Sequence, residues 1–205
     1  CTVVPIHFHS YPFVTRASQE KVREVAAILT RYQMKTTLKL VPFGELQRQI
    51  VLDVPPPLRV VIYRRMMLRI AERLARDSRA KALVTGESIG QVASQTLENL
   101  TVIGSVTNFP ILRPLIGMDK EEIVVEAQRL GTYEISIIPD QDCCQLFTPR
   151  SPETHARSWV VNAAEAKLPI DEMVASAIAG TVTESFEFPE SPERARVDDE
   201  SQGQP

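Results

Sequence analysis

The sequence predicts an α/β fold, a parallel sheet with helices on both faces. Three observations lead there. Segments with apolar residues at period two alternate along the chain with segments of helical period. The helical segments are long enough to act as crossovers between parallel strands. The 205 residues, 43% hydrophobic and 24% charged, suffice for one good core and a small appendage.

Taken in order, "TVVPIHFH" places Val4, Ile6 and Phe8 on one face of a first strand. A helix follows from about Ser18, whose hydroxyl can cap it, to Tyr32. "KTTLKLVPF" reads as a second strand, and after the prolines of "DVPPP" a long helix runs from roughly Leu58 to Asp77. "KALVTG" is a third strand, followed by a helix predicted from Ser88 to Leu100 with Ser88 and Gln91 as its capping box. "FPILRPLI" is a further extended run. Asp119 and Glu122 form a second capping box, opening a helix that stops at Gly131. "YEISII" then leads into "DQDCCQLFTPRSPET". Beyond it, residues 159–181 offer one amphipathic segment, "PIDEMVASAIAG".

Charge is unevenly spread. Residues 184–200 hold seven carboxylates against two arginines, in a chain whose net charge is only −3. With no hydrophobic periodicity, residues 183–205 are expected to form a disordered acidic tail. The expected organisation is a main domain over 1–158 and a helical extension over 159–182 ahead of that tail. Three cysteines, Cys1, Cys143 and Cys144, do not make a disulfide framework. No apolar run approaches a membrane span, so a cytoplasmic setting with reduced thiols is expected. The chain opens at Cys1 directly in a strand pattern, so an upstream element of the sheet is a further expectation.

Ligands of parallel sheets sit at the carboxyl ends of the strands. Four places qualify: residues 7–10, residues 86–95, the start of the arginine-bearing helix, and the loop holding Cys143 and Cys144. In that helix Arg65, Arg69, Arg73 and Arg76 form a stripe that reads as a solvated face, with phosphate or RNA attraction as the alternative. Arg64 lies instead on the line of Leu68, Ala71 and Ala75, so its stem points toward the sheet. Its guanidinium must find either a structural carboxylate there or an anionic ligand. Gly86, Ser88 and Gly90 also spell G-x-S-x-G, the nucleophile elbow of α/β hydrolases, with Asp140 or Asp142 and His155 as the remaining triad. Against that reading, no oxyanion-hole glycine run occurs earlier in the chain. His7 and His9 share one face of the first strand and could contribute to a zinc site, although packing or hydrogen bonding suits them better.

"IHFHSYPF", "RRMMLRIAERLA", "ALVTGESIGQVASQTLENL", "RPLIGMDKEEIVVEAQRLGTYEISI" and "DCCQLFTPRSPET", in that order, resemble the ATP pyrophosphatase (PP-loop) domain of the bacterial tRNA 4-thiouridine synthases, or tRNA sulfurtransferases. The resemblance runs from Cys1 to about His155 and implies an adenine nucleotide alpha hydrolase-like fold. It implies adenylation of a tRNA uridine by ATP with Mg, then replacement of the activated oxygen by sulfur from a persulfide. A cysteine desulfurase would donate that sulfur. The family also takes part in making the thiazole of thiamine, which implies a thiamine sulfur-carrier protein as a further partner. A homodimer is also expected.

Residue by residue, the resemblance puts nucleotide contacts on His7, Phe8, Arg64, Gly86 and Gln95 and the sulfur-handling thiol on Cys144. Cys144 needs thiolate character, against which Asp140 and Asp142 act and for which Arg150 or bound nucleic acid would serve. The family's S-G-G-x-D-S loop and first strand, together with its RNA-binding modules, are expected ahead of Cys1. Two readings stay open, an enzyme whose loop lies upstream and a remnant that binds nucleotide or partners without catalysis. A serine hydrolase using Ser88 is the weaker alternative.

Overall fold

A computed structural model describes residues 1–139, 147, 149 and 151–189. Strand β1 (Ile6–His9) and helix α1 (Ala17–Thr30) are followed by β2 (Lys35–Pro42), and β1 and β2 pair in parallel. Helix α2 (Gly44–Asp53) precedes a 3-10 turn at Pro56–Leu58, where proline's fixed φ suits the first turn, and then the long α3 (Arg59–Asp77). Strands β3 (Leu83–Val84) and β4 (Ile111–Leu112) form a second parallel pair, with α4 (Leu97–Gly104) between them in sequence. Helices α5 (Lys120–Leu130), α6 (Tyr133–Ser136), α7 (Ser158–Glu165) and α8 (Ile170–Ala179) lead to β5 (Val182–Glu187).

Helices cover both faces of the β1-β2-β5 sheet, as expected, because β2 alternates its side chains. Leu38 and Leu40 pack with Ala26 of α1 and with Phe186, whereas Val41 faces the larger core. That core surrounds α3. Ile62, Met66 and Ile70 are fully buried, among Phe43, Ile50, Ile103, Val161 and Met173. Burial of each such side chain contributes about 1.5–3 kcal/mol.

Several expectations require correction. The described strands form two hydrogen-bonded sheets, β1-β2-β5 and β3-β4, rather than one. β5 runs antiparallel to β2, with Lys35 opposite Glu187 and Leu40 opposite Val182. Residues 183–187, expected in a disordered tail, are therefore an ordered strand. The Arg23 guanidinium holds Glu184 at 2.8 Å, and Phe186 joins the α1 face, so these residues do have inward partners that local composition hides. Ser18 does not cap α1. It lies inside the first turn, buried, while Arg16 occupies the cap position without a side-chain bond. No helix spans 88–100. The chain turns at Gly90 (φ 79°), passes a 3-10 turn at Ala93–Gln95, and begins α4 at Leu97 with Thr96 accepting the Asn99 amide. The Asp119–Glu122 capping box and the left-handed Gly131 (φ 76°) bound α5 as predicted.

Helices α7 and α8, to which the sequence pattern assigns little, are integral to the core through Val161, Ala164, Met173 and Ala177, with Leu168 of their connection. Among the described residues no helix is long and apolar enough to cross a membrane.

Candidate functional site

The carboxyl end of β3 continues through Thr85, Gly86 and Glu87. Glu87 is 2% exposed, a position where an isolated carboxylate would be strongly disfavoured. Three donors compensate it. Arg64 Nη2 reaches Oε1 at 2.5 Å, while Arg113 Nε at 2.5 Å and Thr85 Oγ1 at 2.9 Å share Oε2. Arg64 comes from the first turns of α3 and Arg113 directly follows β4. The Arg64 Nη1 also approaches the buried Ser94 Oγ at 3.5 Å. The inward direction expected for Arg64 is thus observed, and its structural partner is Glu87.

Two features beside this cluster leave room for a further group. Among the described residues, a Cβ placed on Gly86 would meet only Leu115 Cδ1, at 4.0 Å, so those residues leave that space open. The buried Gln95 Oε1 has no hydrogen-bond partner among the described residues. Leaving such an acceptor unpaired costs about 1–3 kcal/mol, which a ligand donor would recover.

One turn further on, Asn99 is fully buried and pins a distant segment. Its Nδ2 donates to Glu153 O at 2.7 Å, and its Oδ1 accepts the Ala156 amide at 2.9 Å. Thr96 Oγ1 adds a bond to Thr154 O at 2.7 Å. The chain that leaves the cysteine loop is therefore anchored at the start of α4, next to Gln95. Cys144, Cys143, Asp140, Asp142 and Arg150 lie outside the described residues. Phe147 is described, and its ring meets that of Phe13 edge-on at 6.5 Å.

At the end of β1, His7 Nε2 lies 3.4 Å from Ser18 Oγ on α1. Phe8 packs edge-on against Phe43 at 5.6 Å, and Phe43 against Tyr63, the residue before Arg64, at 6.1 Å. Burial lowers the pKa of His9, and the positive charges of Arg23 and Arg16 lower it further. Its Nδ1 is buried without a partner among the described residues. Of the residues the resemblance selects, the structure links Arg64 directly to the neighbours of Gly86 and Gln95. Phe8 joins them through two aromatic rings, and His7 faces α1.

The rival readings fare differently. Ser88 is 3% exposed and donates its hydroxyl to Met118 O at 2.7 Å, and no helix follows it directly, so the nucleophile-elbow geometry is absent. Among the described residues no group of three or more His, Cys, Asp or Glu side chains could hold a metal ion. The arginine stripe is split. Arg65 is buried, donating to Glu165, Asn162 and Val102 O, and Arg69 shares Glu165. Only Arg73 and Arg76 present largely exposed side chains. Burial alone would raise the pKa of Glu165, but hydrogen bonds and charge from Arg65, with Arg69, outweigh it and hold the carboxyl below its ordinary value.

Glu87, Ser94, Asn99 and Arg113 are the site residues that the sequence reading does not single out. Glu87 lies inside the segment 86–95 that the strand-end rule selects, whereas Arg113 sits within the extended run 109–116, which is not among the four places.

Comparison with known proteins adds an independent line. Residues 1–170 match the family model described as "Thiamine biosynthesis protein (ThiI)". A probable tRNA sulfurtransferase of Thermus thermophilus is 52% identical over 190 residues, which are 93% of this chain and 47% of the relative. A crystal structure of a 4-thiouridine synthetase–RNA complex with bound ATP superposes with a TM-score of 0.86 at 40% identity, over 91% of this chain and 49% of that one. The chain thus spans about half the length of the proteins it matches.

Proposed function

Because the chain belongs to the thiamine biosynthesis protein (ThiI) family, we propose that it acts in ATP-dependent tRNA sulfur transfer, carrying the nucleotide-binding site and the thiol that handles sulfur. One observation carries this reading. Arg64 converges with the neighbours of Gly86 and Gln95 at the end of β3, beside an open glycine and a buried acceptor without a partner among the described residues. A nucleotide offers what that arrangement lacks. Its phosphates suit the Arg64 guanidinium, its ribose or base fits where Gly86 has no side chain, and a ribose hydroxyl or base amine can donate to Gln95 Oε1. His7 and Phe8 complete the contacts from β1. The solved relative is described as binding ATP and RNA, which supports the same ligands here.

In this reading ATP, accompanied by Mg, adenylates a uridine of tRNA, making its oxygen a good leaving group. The Cys144 thiolate attacks the outer sulfur of a donor persulfide and releases the donor's thiolate, so that Cys144 becomes a persulfide. Its terminal sulfur displaces AMP from the uridine, a second thiol then takes the Cys144 sulfur as a disulfide and frees the thiocarbonyl, and an external thiol reductant restores Cys144. Anchoring of 153–156 by Asn99 supports this assignment, since it ties the chain following the cysteine loop to the nucleotide-site side of α4. A cytoplasmic cysteine desulfurase supplies the sulfur, and a sulfur-carrier protein links the same chemistry to the thiazole of thiamine. The exposed Arg73 and Arg76 offer charge for tRNA phosphates, and a homodimer completes the proposed assembly.

The test is calorimetric titration of the full-length protein with ATP, alongside mass spectrometry of nucleosides from tRNA incubated with ATP and a persulfide donor. Saturable ATP binding with 4-thiouridine formation is expected. Failure to bind ATP would overturn the reading.

A further inference from the structure

We propose that Glu87 is a positioning residue for nucleotide binding, and that Arg113 supplies the charge that lets it serve. The inference rests on the nucleotide reading above and assigns roles to two residues to which that reading gives none.

Arg64 is the arginine in place to meet an anion, yet it is already paired with Glu87 at 2.5 Å. A simple ion pair of this kind is close to neutral and attracts an anion poorly. Here the pair is not simple. Glu87 takes a second guanidinium, that of Arg113, on its other oxygen at 2.5 Å. Two guanidiniums on one carboxylate leave a surplus of one positive charge, in a place where the Arg64 and Arg113 side chains are only 21% and 23% exposed. At such burial the surplus is weakly screened by water.

Glu87 meanwhile has almost no freedom. Its side chain is 3% exposed, and its carboxylate holds three donors on two oxygens, one of them the Thr85 hydroxyl two residues earlier. A fixed carboxylate fixes the guanidinium bound to it. With Nη2 on Glu87 and Nη1 turned to Ser94, the plane of Arg64 is held between the Gly86 turn and the Gln95 turn. A long side chain held this way loses little further freedom when an anion binds.

The sign of a charge change separates this proposal from plain electrostatics. Glu87→Gln removes a negative charge beside the arginines. If charge alone mattered, ATP would bind more tightly. If Glu87 orients Arg64, binding weakens, about tenfold or more as for loss of a charged hydrogen bond. Arg113→Gln changes the charge in the opposite direction and is also expected to weaken binding, because it leaves the remaining pair neutral. The experiment is calorimetric titration with ATP of the full-length wild type and both variants, repeated for Glu87→Gln in an Arg64→Ala background. The proposal expects both single variants to bind more weakly and Glu87→Gln to have little further effect once Arg64 is gone. Opposite shifts in the two variants would overturn it. So would an undiminished Glu87→Gln effect without Arg64, which would make Glu87 a merely structural residue.

Should Glu87→Gln fail to fold, Thr85→Val removes one of the three bonds without changing charge. It should weaken ATP binding severalfold, and unchanged affinity would count against the proposal. Absence of ATP binding by the wild type would instead overturn the nucleotide reading, and this inference with it.

Discussion

Arg64 illustrates how far a single residue can be read from its position on a helix. Its place on the line of Leu68, Ala71 and Ala75 turned it inward, and any inward guanidinium needs an anion. Arg64→Ala should raise the Kd for ATP at least tenfold, or about 1.4 kcal/mol. Titration of the variant with ATP checks this, and unchanged affinity would return Arg64 to a purely structural role with Glu87. Cys144→Ala should abolish tRNA thiolation and leave ATP affinity intact, whereas Cys143→Ala should retain thiolation. Equal loss in both, measured by nucleoside mass spectrometry, would remove the distinction between them. Glu87 was harder to read, because a glutamate in a glycine-rich turn looks like any solvated acid. Only Arg64 from α3 and Arg113 from beyond β4 make it a buried hub.

Element α3 shows why a helical wheel misassigns some side chains. A single apolar stripe implies one buried face, yet α3 packs against α4, α7 and α8 as well as the sheet side of the core. Arg65 therefore falls inside, against Glu165 at 2.7 Å. Truncating one partner of such a pair leaves the other buried and uncompensated. Glu165→Ala should cost about 3–5 kcal/mol of stability, seen in urea unfolding. An effect below about 1 kcal/mol would place the pair among solvent-screened ones. The start of α4 at Leu97 departs from the expected Ser88 for a related reason. Ser88 and Gln91 have the spacing of a capping box, but the Ser88 hydroxyl is engaged by Met118 O and Gly90 turns left-handed. Thr96 caps instead, so Thr96→Ala should cost about 1 kcal/mol. The same substitution removes the bond to Thr154 O, and should therefore raise hydrogen exchange in 153–156.

For the whole molecule, His9 and a set of carboxyls that includes Glu165, Glu72 and Glu45 make stability fall with acid. The His9 pKa is lowered from 6.5 by burial and by Arg23 and Arg16, so the unfolded chain binds more protons just below that value. Stability from this group is complete above 6.5 and is lost as pH falls through the folded value. The Glu165 carboxyl is also lowered, from 4.5, and its contribution is complete above that value and is lost as pH falls below it. Thermal melts from about pH 7 to about pH 3 should show two successive losses, with His9→Asn removing the first. A midpoint independent of pH between about 7 and 5 would contradict the His9 assignment. At this scale the division between sequence and structure is also visible. The α/β class, the Asp119–Glu122 cap, the Gly131 stop and the inward arginine are legible along the chain, because periodicity and capping depend on neighbours within one turn or one strand. Three-dimensional packing alone makes an acidic segment pair with β2 as β5, brings Arg65 to a carboxylate 100 residues away, and sets two arginines on Glu87. Those outcomes turn on partners distant along the chain. A charged residue is soluble surface or buried hub according to what packs against it, and local composition carries no record of that.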